Sequence, residues 1–123
     1  MRGSMMAVLG LGLAVAAPAA AKQAADPGKQ AFAPCAACHA VTPNTKRLGP
    51  SLHGVVGRKV ASAPGFAYSP ALKAKGTAAW TPETIDAFLA DPRGWAPGNR
   101  MSYPGVKDPA KRAAIIAYLK TLK

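Results

Sequence analysis

The residues most able to do chemistry in this sequence stand together in the stretch Cys35-Ala36-Ala37-Cys38-His39. The two thiols are about one helical turn apart, and an imidazole follows directly. At this spacing two thiols can add to the two vinyl groups along one edge of a haem, and the next residue's imidazole can bind the iron as proximal ligand. The motif predicts one covalently attached haem c, bound through Cys35 and Cys38 and ligated by His39.

Three other uses of these cysteines compete with haem attachment. A redox disulfide of this spacing normally opens a helix within a βαβ pattern, and the sequence shows no such pattern. A structural disulfide would close so short a loop that it would restrict the unfolded chain little. A zinc site would need His39 and His53 as well, and adjacent Cys38 and His39 are poorly placed to converge on one tetrahedral ion. Haem attachment is favoured over all three.

The second axial ligand of the iron is predicted by elimination. The other three methionines belong to the N-terminal segment described below, so Met101 is the only one in the remaining chain. It stands in a run of turn-forming residues with no periodic apolar face, Pro97-Gly98-Asn99-Arg100-Met101-Ser102-Tyr103-Pro104-Gly105. A thioether opposite an imidazole raises the reduction potential of haem. His53, in a Gly-rich stretch, is the rival ligand and is interpreted as a surface residue.

The N-terminal segment, residues 1–21, has the composition of a secretory signal peptide. Arg2 precedes an apolar run over residues 5–17, Pro18 breaks the run, and Ala19-Ala20-Ala21 matches the small-residue pattern of a cleavage site. The run has 13 residues, whereas a spanning helix needs roughly 20.

We therefore expect an exported protein that is cleaved near Lys22 and works in the periplasm, with a single domain over residues 22–123. No stable membrane insertion is expected. The alternative is an uncleaved segment that anchors the domain to the membrane.

The charge of the chain is strongly positive, with 16 Lys and Arg against 5 Asp and Glu and a net charge of +11. The basic residues are scattered rather than gathered in one tract, and export also argues against a nucleic acid partner. A distributed cationic surface favours acidic electron-transfer proteins as partners. We expect a monomer.

Helix signals occur at both ends of the domain. Asp26-Pro27-Gly28 predicts the start of a first helix that continues over residues 29–37. Thr81-Pro82-Glu83 predicts the start of a second, with Ile85, Phe88 and Leu89 on its apolar face, and Asp91-Pro92 predicts its end.

Asp108-Pro109 predicts the start of a last helix. Its inward face is predicted to carry Ile115, Ile116, Tyr118, Leu119 and Leu122, and its outward face Lys111, Arg112, Lys120 and Lys123. Residues 41–76 read as one long irregular stretch, and no strand pattern occurs. The prediction is an all-α domain of three to five helices, with long loops wrapped around one haem.

Several further motifs lie in order between residues 28 and 120: Leu48-Gly49-Pro50-Ser51-Leu52-His53-Gly54, Gly57-Arg58-Lys59, Ala63-Pro64-Gly65-Phe66-Ala67-Tyr68-Ser69, Trp80, Pro97-Gly98-Asn99-Arg100-Met101 and Ile116-Ala117-Tyr118-Leu119-Lys120. Together with the haem motif they resemble the small soluble class I cytochromes c of mitochondria and α-proteobacteria. The resemblance covers nearly the whole domain and implies the all-α cytochrome c fold and electron transfer.

The resemblance also implies roles for single residues. The Pro50 carbonyl would accept the proton on the second nitrogen of His39. Arg58, Tyr68 and Trp80 would gather round a haem propionate and offset its buried charge. Gly28 and Phe32 would let the first helix cross the last near Tyr118 and Leu119. Tyr103 would lie beside the exposed haem edge, and the rim of that edge would carry Lys29, Arg93, Arg100 and Lys107.

The chain departs from this family at three positions of one polar network. Phe88 stands where the family usually has a Tyr whose hydroxyl lies near the Met sulfur. Leu72 replaces an Asn of the buried water network, and Asn99 replaces a Thr. These changes predict an altered reduction potential and an altered stability of the bond between Met101 and the iron.

The leading hypothesis for function is a diffusible, monohaem electron carrier that shuttles single electrons between respiratory or dehydrogenase complexes and is not an enzyme. Two axial ligands from the protein leave no open site for a substrate, and no acid–base constellation accompanies the haem motif. The alternative is a haem enzyme or gas sensor, peroxidase-like or binding a diatomic ligand, which would require a labile bond between Met101 and iron.

Overall fold

Helices joined by long loops make up the chain in the computed structural model, which describes residues 10–14 and 26–123. Five helices follow in order: α1 (Pro27–Ala36), α2 (Pro70–Lys73), α3 (Pro82–Ala90), α4 (Pro92–Trp95) and α5 (Pro109–Lys120). The described ranges contain no strand, only an isolated antiparallel bridge between Lys59 and Ala79. The predicted all-α architecture with three to five helices is confirmed.

The predicted signal segment 1–21 and its cleavage position lie outside the described residues, apart from residues 10–14. No helix in the described part of the chain has the length and apolar character needed to span a bilayer.

Every helix begins with a proline that follows a capping side chain. Proline suits the first helical position because its missing N–H would have no partner there. The oxygen of the preceding Ser, Thr or Asp accepts an N–H of the first turn. The caps are Asp26, Ser69, Thr81, Asp91 and Asp108.

Three of these starts confirm the sequence predictions, at Asp26, Thr81 and Asp108. Two helices differ from them. Ser69 begins α2 inside the stretch predicted to be irregular. Asp91-Pro92, predicted only as a helix end, also begins α4, because the Asp91 carboxylate accepts the N–H of Gly94 at 2.9 Å.

The core lies where α1 and α3 pack against α5. Buried side chains from these helices meet two valines from the loops, and the cluster consists of Phe32, Val55, Ile85, Leu89, Val106, Ile115, Ile116 and Leu119. The apolar faces predicted for α3 and α5 therefore point inward, with Phe88, Tyr118 and Leu122 only half-buried.

The crossing of α1 and α5 requires a residue without a side chain at position 28. A Cβ atom on Gly28 would lie 2.8 Å from the Cβ of Tyr118, which is well inside van der Waals contact. One turn later the rings of Phe32 and Tyr118 pack with their centroids 5.1 Å apart. This crossing fixes α1, and with it the cysteine motif at the end of α1, against the core.

The prediction that Arg112 faces outward is wrong. Its side chain is only 13% exposed, and its Nε donates to Asp86 Oδ1 at 2.7 Å. One of its terminal nitrogens also donates to the carbonyls of Val106 and Lys107, at 2.9 and 3.0 Å. Packing of α3 on α5 brings Asp86 opposite Arg112, so this residue of the predicted polar face is mostly buried and links the two helices.

Candidate haem site

The cysteine motif begins in the last turn of α1 and leaves the helix in a tight turn. Cys35 is the last but one residue of α1, and its carbonyl accepts the N–H groups of both Cys38 and His39, at 3.1 and 2.9 Å. Two bonds to one carbonyl close the helix end and keep the whole motif within one turn. Cys35 and Cys38 are not joined to each other by a disulfide.

His39 is held in one orientation and one tautomer by a single bond. Its Nδ1 lies 2.8 Å from the carbonyl oxygen of Pro50. Because a carbonyl only accepts, Nδ1 must carry the proton, and the lone pair is then on Nε2. Burial lowers the pKa of His39 below its ordinary value, with the Pro50 bond opposing this in part. The ring therefore presents a neutral Nε2, the form that binds iron.

The backbone of Gly49 also passes close to the His39 ring. Its N–H donates to the Cys38 carbonyl at 2.9 Å, which draws the chain directly across the imidazole. A Cβ atom at this position would lie 2.7 Å from Nδ1 and 2.9 Å from Nε2. Only glycine permits so close an approach. The sequence analysis did not single out Gly49, although its place directly before Pro50, whose carbonyl was predicted to bind His39, was the available signal.

Arg58 carries a buried donor with no partner among the described residues. Its two terminal nitrogens donate to the carbonyls of His53 and Ser51, at 3.2 and 3.1 Å, whereas its Nε is buried and unpaired. An unmet buried donor costs about 1–3 kcal/mol. Arg58 and Pro50 also line a cavity of about 270 Å³. A cationic side chain with a spare donor fits the anionic propionate that the resemblance assigns to it.

Trp80 and Tyr68, the other two residues predicted near a propionate, differ in how they are connected to Arg58. The backbone N–H of Trp80 donates to the Arg58 carbonyl at 2.8 Å, so these two residues are brought together. Tyr68 lies buried in a neighbouring loop, where its hydroxyl accepts the N–H of Ala63 at 3.0 Å. The gathering of all three round a propionate stays a prediction.

Met101 lies half-buried in a segment without helix or strand, residues 97–105. Its N–H donates to the side-chain oxygen of Asn99 at 2.9 Å, and its carbonyl accepts the N–H of Tyr103 at 2.9 Å. Hydrogen bonds thus hold its backbone, while its thioether is a soft donor suited to iron opposite an imidazole.

An aromatic cluster made of Trp80, Phe88 and Trp95 joins the start of α3 to α4. The two indole rings stack at 5.2 Å, and the Phe88 ring meets them edge-on at 5.2 and 5.6 Å. The Lys75 ammonium lies 5.0 Å from the centre of a Trp95 ring. Sequence reasoning missed Trp95. Phe88, the departure from the family's Tyr, is here an apolar member of a packed cluster.

The donor set fits a haem better than the competing sites. Burial raises the pKa of the Cys35 thiol, whereas a redox-active C-x-x-C motif needs it lowered. Within the described residues, no three or more side chains of the types His, Cys, Asp and Glu come together to hold a metal ion, as a zinc site would require. Two cysteines that form no disulfide, followed by an oriented imidazole, are the residues a c-type haem needs.

Comparison with known proteins agrees with this chemistry. The family model described as "Cytochrome c" matches residues 25–123. The chain belongs to the cytochrome c family. It therefore carries one haem c, attached through Cys35 and Cys38, and functions in electron transfer.

The relatives include several bacterial cytochromes c2. The chain is 48% identical over 92 residues to cytochrome c2 iso-2 of Magnetospirillum fulvum, covering 75% of this chain and 95% of that protein. It is 44% identical over 105 residues to cytochrome c2 of Blastochloris viridis, covering 85% of this chain and 81% of that protein.

Solved structures of the same family superpose closely on this cytochrome. Cytochrome cH from Methylobacterium extorquens gives a TM-score of 0.71 at 48% identity, covering 77% of this chain and 95% of that one. Cytochrome c2 from Rhodospirillum centenum gives 0.74 at 34% identity, covering 80% and 99%.

Proposed function

We propose that this cytochrome is a carrier of single electrons between partner proteins outside the cytoplasmic membrane, with His39 and Met101 as the two axial ligands of its haem iron. The observation that carries the proposal is the bond between His39 and Pro50, which leaves Nε2 as the only free lone pair of a fixed ring directly after the attachment cysteines. The bound haem supplies a reversible one-electron couple at the iron.

Orientation of the ligands is the main contribution of the protein. The Pro50 carbonyl holds the His39 ring, the backbone of Gly49 passes close to it, and Arg58 supplies a cation whose Nε has no partner among the described residues. Ligands that keep their places in both oxidation states reduce the rearrangement that accompanies each electron. His39 and Met101 would together hold the iron, which would leave no ligand position for a substrate.

The acidic residues support a carrier rather than an enzyme. Asp26, Asp91 and Asp108 cap helices, and Asp86 is paired with Arg112. Glu83 lies exposed in the first turn of α3. Four of the five acids of the chain thus cap a helix or form an ion pair, and Glu83 is exposed to solvent, a pattern that favours a carrier over acid–base catalysis at the haem.

Docking is assigned to a rim of cations, namely Lys29, Arg93, Arg100 and Lys107. All four side chains are exposed. Their charge is complementary to an acidic reductase, oxidase or dehydrogenase, which would be steered to the haem edge near Tyr103. A monomer suits this transient docking.

Location outside the cytoplasmic membrane is supported by the composition of residues 1–21, with cleavage near Lys22 and a mature domain over residues 22–123. Mass spectrometry of the N-terminus of protein purified from the periplasm tests this part of the proposal. An intact N-terminus in the membrane fraction would instead show an anchored domain.

Visible spectroscopy tests the ligation. The ferrous protein should give a sharp low-spin spectrum that carbon monoxide does not change, and the ferric protein should show the weak far-red band of a bond between sulfur and iron. A high-spin spectrum, or one that carbon monoxide shifts rapidly, would reject the carrier and point to a peroxidase-like or gas-binding haem.

A further inference from the structure

The Asn99 side chain uses both of its amide hydrogens and its oxygen in a single set of contacts. Its Nδ2 donates to the carbonyls of Pro92 and Ala96, at 2.8 and 2.9 Å. Its Oδ1 accepts the N–H of Met101 at 2.9 Å. The backbone N–H of Asn99 donates to Ala96 as well, at 3.0 Å.

This pattern specifies an amide at position 99. A reversed amide would place its oxygen against two carbonyl oxygens and its NH₂ group against the Met101 N–H. A carboxylate would meet the same two carbonyls, and a hydroxyl has one hydrogen to give where the site takes two. Asn is therefore the short side chain that satisfies all three partners at once.

The contacts join a fixed element to an irregular one. Pro92 is the first residue of α4 and Ala96 follows its last, and both are buried, Ala96 completely. Met101 lies beyond the turn at Gly98, whose φ of +88° is in the left-handed region, in a segment without helix or strand. Asn99 thus ties the backbone of Met101 to both ends of α4.

We infer that Asn99 is a positioning residue for the sixth ligand of the iron, an inference that rests on the proposed ligation by Met101. The thioether has no donor hydrogen and no fixed polar partner, so its place depends on the backbone that carries it. Any displacement of Met101 that moves its backbone would have to break the bond between its N–H and Asn99. The sequence analysis treats Asn99 as a departure from the polar network of the family. In the structure Asn99 instead forms its own hydrogen bonds, with Pro92, Ala96 and Met101.

The test is displacement of Met101 by imidazole in the oxidised protein, followed by loss of the far-red band. Asn99→Ala removes all three side-chain contacts and should tighten apparent imidazole binding about tenfold, the factor equivalent to about 1.4 kcal/mol or one to two net hydrogen bonds. Asn99→Ser retains an acceptor for Met101 and at most one donor to α4, and should give an intermediate increase.

A matched control separates positioning from general stability. Asp26→Ala removes the cap of α1, where the carboxylate accepts the Gly28 N–H at 2.8 Å, and should cost about 1 kcal/mol of unfolding free energy. It should leave imidazole affinity unchanged. The inference would be overturned if Asp26→Ala increased imidazole affinity as much as Asn99→Ala or Asn99→Ser does when the variants lose the same unfolding free energy.

The result also separates this inference from the ligation on which it rests. If the unaltered protein lacks the far-red band, Met101 is not the ligand, and both ideas fail together. If the band is present and both Asn99 variants bind imidazole as the unaltered protein does, Met101 remains the ligand and the role of Asn99 is refuted.

Discussion

The two sides of the haem site restrain their ligands by different means. On the His39 side, residues 35–58, the ligand ring itself is hydrogen-bonded to the Pro50 carbonyl, and the backbone of Gly49 passes so close to it that a Cβ would collide with it. On the Met101 side, residues 80–106, the hydrogen bonds are made to backbone atoms. Asn99 accepts the N–H of Met101, and Arg112 donates to the carbonyl of Val106, five residues later in the chain. An imidazole has a second nitrogen that a carbonyl can hold, whereas a thioether has no hydrogen to donate. The second ligand must therefore be placed indirectly.

Removing the thioether tests this comparison most severely. Met101→Ala should abolish the far-red band, let carbon monoxide bind the ferrous protein, and lower the reduction potential by a substantial part of the roughly 0.8 V range that axial ligands span. Redox titration and carbon monoxide spectra measure both effects. Leu48→Ala, which truncates a side chain that is 83% exposed, is the control. An unchanged potential would remove Met101 from the iron.

Crowding the imidazole should affect the His39 side next most strongly. The methyl group of Gly49→Ala would collide with the His39 ring, so we expect a loss of about 3 kcal/mol of unfolding free energy together with a changed low-spin spectrum. Denaturant titration with optical detection measures both.

Gly54→Ala is the matched control for this change. Its added Cβ meets open space at a φ of +69°, and it should cost roughly 1–2 kcal/mol with the spectrum unaltered. If Gly49→Ala leaves the spectrum equally unaltered, contact with Gly49 does not position the ring.

Weakening the contacts of Arg112 with Asp86 and with the carbonyls of Val106 and Lys107 should have a moderate effect on stability. Arg112→Lys retains the charge opposite Asp86 and loses the planar fork that also reaches Val106 and Lys107. We expect a loss of about 1–2 kcal/mol of unfolding free energy. Bonds to carbonyls persist in salt, so the loss should be similar in low and high salt, whereas Lys111→Ala should change little. If the loss of unfolding free energy disappeared in high salt, Arg112 would act only through its ion pair with Asp86.

A hydroxyl introduced beside the sulfur should have the smallest effect. The resemblance places position 88 near Met101, and a phenol that donates to the sulfur withdraws electron density and favours ferrous iron. Phe88→Tyr should raise the reduction potential by about 30 mV, which corresponds to about 0.7 kcal/mol. Phe66→Tyr is the control. Equal potentials in Phe88→Tyr and the unaltered protein would mean that Phe88 does not control the Met101 side.

The His39 side was largely predictable because its chemistry is local in sequence. Cys35, Cys38 and His39 form one motif, and Pro50 follows it within the same loop. Capping residues are equally local, which is why the starts of α1, α3 and α5 were predicted from Asp26, Thr81 and Asp108.

On the Met101 side the ligand was predicted, but the contacts that hold its backbone were not. Asn99 was read only as a departure from the family's Thr, because its partners Pro92 and Ala96 meet it only when α4 forms, and α4 is too short to give a periodic pattern. Arg112 was placed outside because a helical face cannot show that Asp86 of another helix lies opposite it. Both depend on contacts between segments that sequence spacing does not contain.

The capping carboxylates also shape the electric field that a distant protein meets. At the start of α1 and α5, Asp26 and Asp108 lie at the positive end of a helix dipole, which offsets their charge locally. Lys120, in the last turn of α5, lies at the negative end of the same dipole, and its charge is offset in the same way. The dipoles add no net charge, so the field is set by the excess of 16 Lys and Arg over 5 Asp and Glu, and it fades beyond the Debye length of about 8 Å at physiological ionic strength. Encounter rates with anionic surfaces should therefore fall steeply as ionic strength rises.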